Sequence, residues 1–255
     1  MKSKYAHVLI SLILVLAFTL TAPAITTFEV TVACPICHTQ NKFYDYASWG
    51  SYIYTFPSKF QLVFWPHTSG ATIYCCKKCH LSLYSWDFRE FPKDRIRETA
   101  KLLERVEFSG EYKTYTDIPA SAKLRGAEKI YQLLGRDDAF WSHFYRVLGY
   151  YLAKEKKAGE AAQARREALR ITQRMLAEPA NGSRKKELLV ITAAMHHFLG
   201  EDRLALGELK SASTLTFRDS TLGEERSKNY NQYLSSLIQE YSPAIEKGQV
   251  PADAE

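Results

Sequence analysis

Two cysteine pairs of identical internal spacing, Cys34-Pro35-Ile36-Cys37 and Cys76-Lys77-Lys78-Cys79, stand thirty-eight residues apart. Two residues between cysteines let a backbone turn aim both sulfurs at one point. Two such turns, face to face, supply the four thiolates of a tetrahedral structural zinc site. The spacing therefore predicts that Cys34, Cys37, Cys76 and Cys79 bind one structural Zn2+. The residue after each pair in such a turn adopts positive φ, a role usually given to Gly. Here it falls to His38 and His80, a type that tolerates that region better than branched residues do. Either histidine is an alternative ligand. His67 reads as a bystander in a loop. Cys75, next to Cys76 on a strand, should point away from the metal and lie buried.

Two other sulfur states stay open. A disulfide between the pairs would close a loop of about forty residues, worth roughly 4 kcal/mol in the chain-entropy model. A structural zinc site supplies on the order of 10–16 kcal/mol of apparent binding energy. Cys34-Pro35-Ile36-Cys37 also has the form of an exported thiol–disulfide oxidoreductase pair, in which the first cysteine sits at a helix N-terminus. The residues that follow, His38 to Tyr46, have no helical apolar face and read as turn, then strand.

The N-terminus bears on compartment. Lys2 and Lys4 precede the apolar run Val8–Phe18, and Ala22-Pro23-Ala24 supplies a small-x-small site. This is the pattern of a secretory signal peptide over residues 1–24, which predicts an exported protein, periplasmic or extracellular. An uncleaved membrane anchor over residues 8–25 is the alternative. The net charge of +6 falls to +4 without Lys2 and Lys4, a bias too mild to imply a nucleic-acid partner.

Residues 25–91 form the expected cysteine module. Thr27–Val32 alternates into Cys34. Tyr52–Phe56, Phe60–Trp65 and Thr72–Tyr74 are strand-like, punctuated by Pro57, Pro66 and Gly70. The aromatic density reads as a small β core filled by large side chains. The two cysteine turns, together with Leu83-Tyr84-Ser85-Trp86-Asp87-Phe88 before a Pro-initiated helix, resemble the bacterial domain of unknown function (DUF) 2225 family over about residues 28–110. The resemblance implies a zinc-ribbon-like head and a helical tail, and it implies no activity. His in place of Gly after each pair, and the export signal, depart from that family's pattern.

From Pro92 the period becomes helical, and residues 92–247 are expected to form an α-helical domain. Ile96, Ala100, Leu103 and Val106 make one stripe, ended by Ser109-Gly110. Pro119 opens a helix that Gly135 caps, and Asp137 starts another with a broad apolar face from Phe140 to Leu152. Gly159 is expected to break the chain before Ala161–Ala177, and Pro179–Ser183 is a turn. Lys185–Leu199 and Arg203–Phe217 resemble a tetratricopeptide (TPR) helix pair around Gly200, with Ala205 at the close contact. Phe140–Lys156 with Gly159–Ala177 resembles the same unit. Glu224–Ile245 would cap the stack, and residues 248–255 read as a frayed tail. The basic clusters Lys154 to Arg170 and Arg184 to Lys186 read as solvated faces.

The chain has no GxSxG, HExxH or phosphate-binding glycine loop. The fold class read from sequence is α+β, a small β-rich zinc-ribbon-like module followed by TPR-like helical hairpins. The function read from sequence is a non-catalytic, metal-stapled interaction or scaffold protein of the cell envelope, with a protein partner held by the helices. The alternative is an exported thiol–disulfide oxidoreductase that uses Cys34 and Cys37.

Overall fold

Two β-hairpins open the fold, and each uses a cysteine pair as its turn. The computed structural model describes residues 26–48, 57–64, 67–105 and 112–250. The expected signal segment, the strand expected over Tyr52–Phe56, the helix end expected at Ser109-Gly110 and residues 251–255 lie outside the described residues. Strands β1 (Thr26–Ala33) and β2 (Gln40–Ser48) pair antiparallel around the first cysteine turn. Strands β3 (Ile73–Cys75) and β4 (Ser82–Tyr84) pair antiparallel around the second. Alternation sorts β2: Asn41 and Phe43 are buried, whereas Lys42 and Tyr44 are exposed.

The stretch expected as strand over Phe60–Trp65 departs from that reading. Residues Pro57–Gln61 form a short helix, α1. Leu62 ends it in the left-handed region at φ 54, with Leu62 N–H donating to Lys59 O and Val63 N–H to Ser58 O. That bond pair is a Schellman cap, and Pro57 is suited to the first helical position. Residues Ser58–Val63 are all buried, so the run shows no face, and periodicity cannot tell such a run from a strand.

Helices follow: α2 (Ser85–Arg89), α3 (Ile96–Leu103), α4 (Ala120–Leu134) and α5 (Asp138–Lys154). Then come α6 (Ala158–Ala177), α7 (Lys185–Phe198), α8 (Asp202–Ser213) and α9 (Glu224–Glu246). The boundary chemistry is local. Pro119 precedes α4, Gly135 ends it at φ 67, and the Asp137 carboxylate accepts from Phe140 N–H at 2.8 Å to open α5. The break after α5 falls at Lys156, φ 62, not at Gly159, which lies inside the first turn of α6. Lys157 N–H donates back to Leu152 O at 2.8 Å, so a capping turn rather than a glycine stops the helix. Helix α8 stops at Ser213, short of the expected Phe217, because Phe217 is buried and its N–H donates to Asn231 Oδ1 of α9 at 2.9 Å.

From α5 onward each helix packs on the next in chain order. At Gly149 an added Cβ would stand 3.1 Å from Arg165 Cγ, so a larger residue in α5 would press on the Arg165 stem of α6. Three hydrophobic clusters result among the described residues, the smallest made of Ile171, Met175 and Leu188 between α6 and α7. The first joins both hairpins to α4, α5 and the start of α6, through Phe43, Tyr74, Tyr84, Leu124, Tyr131 and Phe144. The second lies among α6–α9 and also takes Phe60 and Leu62 from between the cysteine pairs. Phe60 stacks on Tyr241 of α9, ring centroids 4.4 Å apart. The basic clusters are not wholly solvated. Arg165 is buried with its guanidinium 5.0 Å from the Phe198 ring, and Lys186 is buried and donates to Asn231 and Ser235. Among the described residues, no helix is long and apolar enough to cross a membrane.

Candidate metal centre

The two cysteine turns repeat one backbone design. In the first, Cys34 N–H donates to Thr39 O at 2.9 Å and His38 N–H donates to Cys34 O at 3.0 Å. In the second, Cys76 N–H donates to Leu81 O at 2.9 Å and His80 N–H donates to Cys76 O at 2.9 Å. His38 and His80 sit at φ 58 and φ 57. The positive φ expected at both histidines is therefore present. It follows from the reversal each turn must make between its second cysteine and the outgoing strand.

The hairpins bring the four sulfurs together. Cys34 Sγ lies 3.6 Å from Cys79 Sγ, and Cys37 Sγ lies 3.5 Å from Cys76 Sγ. All four lie within 4.8 Å of one another, a group that could hold a metal ion. Ligands about 2.3 Å from a tetrahedral ion stand about 3.8 Å from each other, so these separations suit a four-thiolate site. They are too long for a disulfide, whose sulfurs are about 2.05 Å apart, and all five cysteines carry free thiols. The group consists of the four cysteines, and neither His38 nor His80 belongs to it.

Electrostatics favour a cation at the centre. Hydrogen bonds from Cys34 and Cys79 hold the Cys76 thiol far below its ordinary range. The hydrogen bond to Cys76 in turn pushes Cys34 up to about 12, and Cys79 is raised as well, first by its hydrogen bond with Cys34. Cys34 and Cys79 thus keep their protons unless positive charge is supplied among the sulfurs. Cys34 and Cys76 are buried, and Cys37 and Cys79 are half-buried. Cys75 behaves as expected: it is buried, outside the group, and burial pushes its thiol up to about 11.

Asn41 is the site residue that the sequence reading missed. It is buried on β2 and spans both turns. Its Nδ2 donates to Thr39 O at 2.8 Å and approaches Cys76 Sγ at 3.6 Å, while its Oδ1 accepts from Lys77 N–H at 2.9 Å. A buried Asn in a strand is disfavoured unless its amide is used, and that was the available signal. Lys78 N–H also points at Cys76 Sγ, 3.5 Å away.

His67 is not a free-standing loop residue. Its ring lies 4.3 Å from that of His143, and Tyr84 and Trp86 pack against it. His196 and His197 each turn to a carboxylate across the α7–α8 turn, His196 to Glu201 at 2.5 Å and His197 to Asp202 at 2.7 Å. The first cysteine turn leads into strand β2 rather than into a helix, so Cys34 lacks the helix N-terminus that activates an oxidoreductase thiol. A scan of protein-family models, a search of curated proteins and a search of solved structures each returned no match to this chain.

Proposed function

We propose that this is an exported, non-catalytic protein of the cell envelope whose head is stapled by one structural Zn2+. Cys34, Cys37, Cys76 and Cys79 are its ligands, and Asn41 orients the Cys76 side of the site. The observation that carries the reading is the approach of two sulfur pairs, 3.6 Å and 3.5 Å, from turns far apart in sequence. Four thiolates around a small tetrahedral centre, with no histidine or carboxylate in the group, favour zinc over harder divalent ions. A closed four-sulfur set leaves no open position for a substrate, so the ion's role is structural.

Export rests on the Lys2/Lys4 start, the Val8–Phe18 run and Ala22-Pro23-Ala24. The helices α5–α9 act as TPR-like hairpins that present a surface to a protein partner. That reading is supported by their packing in chain order, by Gly149 at the α5–α6 approach and by Ala205 fully buried in α8.

The test is metal analysis of the purified full chain, combined with thiol titration. One zinc per chain is expected, with Cys34, Cys37, Cys76 and Cys79 reacting only after chelation. A metal-free protein with a readily cycled Cys34–Cys37 bridge would overturn the reading in favour of the oxidoreductase.

A further inference from the structure

A cavity of about 590 Å3 opens beside the cysteine turns, between β2 and the segment from Tyr112 to Ile118. That volume is in the range of ligand and peptide pockets. Phe43, Cys75 and Tyr115 line it and are buried. Lys42, Lys77 and Lys113 also line it, against one carboxylate, Glu29, which Lys42 Nζ meets at 2.8 Å. Tyr44 and Tyr112 flank it, and these residues are 44% and 38% exposed.

The main chain adds a second feature. Among the described residues β1 and β2 pair only with each other, so no described strand adds to the outer side of β2 that borders the cavity. At Tyr44 that edge is read by side chains: its N–H donates to Tyr115 Oη at 2.8 Å, and its carbonyl accepts from Tyr74 Oη at 3.3 Å. Both groups of Tyr44 therefore face away from β1. Register is unbroken from Tyr44 to Lys42, and outward-facing residues recur every second position in an antiparallel pair. The N–H and C=O of Lys42 thus face the same side as those of Tyr44. An apolar trough with a cationic border runs beside a main-chain donor and acceptor, the combination that strand addition uses.

We propose that this trough docks an extended, acidic segment of a partner protein. The segment pairs its main chain with Lys42 and sets carboxylates against Lys77 and Lys113. Tyr44 and Tyr112 receive its alternate side chains. The docking site is on the head and is independent of the helical surface proposed above.

The experiment is fluorescence anisotropy of a labelled octapeptide of alternating Glu and Val, titrated with the metal-loaded full chain. Saturable binding is expected. The doubly substituted chain Lys77→Glu/Lys113→Glu should weaken it by about tenfold or more. So should N-methylation of alternate peptide residues, which deletes main-chain donors. Unchanged zinc content and circular dichroism show that the double variant is folded, so its result reports on the trough and not on the metal site. Four results would overturn the proposal: no saturable binding, equal binding of the N-methylated peptide, equal binding of a Lys/Val peptide, or binding unaffected by the double substitution. Concentration-dependent dimerisation abolished by the same substitution would reassign the trough to a second copy. Binding seen only after deletion of residues 251–255 would reassign it to the chain's own acidic end.

Discussion

The guanidinium of Arg146 donates from Nη1 to the carbonyl oxygen of Gln61 at 2.7 Å, joining residues eighty-five positions apart. The same nitrogen reaches Leu62 O at 3.2 Å, and Nη2 lies 3.3 Å from His143 Nδ1. Arg146 is buried, and burial lowers its pKa to about 10, which leaves it charged at neutral pH. Its fork satisfies the carbonyls freed where α1 ends in a left-handed turn. Arg146→Met should therefore destabilise by about 2–4 kcal/mol, since two buried carbonyls lose their donor. Arg146→Lys should rescue little, because one ammonium cannot reproduce the fork. Urea unfolding of the two variants checks this.

The histidines at φ 58 and φ 57 are placed for backbone reasons, not for ligation. His38→Gly and His80→Gly should be tolerated, with one zinc per chain retained. His38→Val should cost on the order of 1–3 kcal/mol, because a β-branched residue is strained in the left-handed region. Thermal melts with parallel metal analysis distinguish this from ligation, in which the glycine variants would lose metal.

Asn41 acts on the metal through Cys76 and the second turn. Asn41→Ala should lower zinc affinity by about 10–100-fold while leaving stoichiometry at one, the usual effect of losing an outer-shell partner. Competition with a chromogenic chelator measures it. An unchanged affinity would mean that the amide serves only to join the hairpins.

Acid should destabilise the fold through the His67–His143 contact. Burial, then the Arg146 charge, lowers His67 to about 4, and the same causes hold His143 well below its ordinary value. The unfolded chain takes up these protons near pH 6.5, and the folded chain refuses His67's until about pH 4. Stability from this source is therefore complete above about pH 6.5 and declines as pH falls toward 4, by on the order of 1–3 kcal/mol. The Arg146 charge faces both rings and opposes their protonation. His67→Phe should flatten the decline in a pH series of urea melts.

Much of this architecture was legible because short-range chemistry decides it. Cysteine spacing marks both turns, Asp137 and Gly135 mark the ends of neighbouring helices, and an apolar stripe marks α4, with Leu124, Ala127 and Ile130 all buried. What was not legible depends on distant partners. The run Ser58–Val63 is buried throughout, a short helix and its cap, because two clusters close around it, and Arg165 and Lys186 are buried because a ring and two side-chain oxygens wait for them. Asn41 belongs to the same class: its worth lies in Lys77 and Cys76, which the chain reaches thirty-five residues later. Local pattern cannot report a contact whose other half it does not contain.

Phe60 carries a wider consequence. Its ring stacks against Tyr241 near the far end of the chain, yet it is tethered between the two sulfur pairs. A polypeptide starting at Pro92 would arrive with a hole in its own interior, and one stopping before it would expose a greasy plug. Gene fusions that borrow the cysteine turns alone should therefore yield insoluble products.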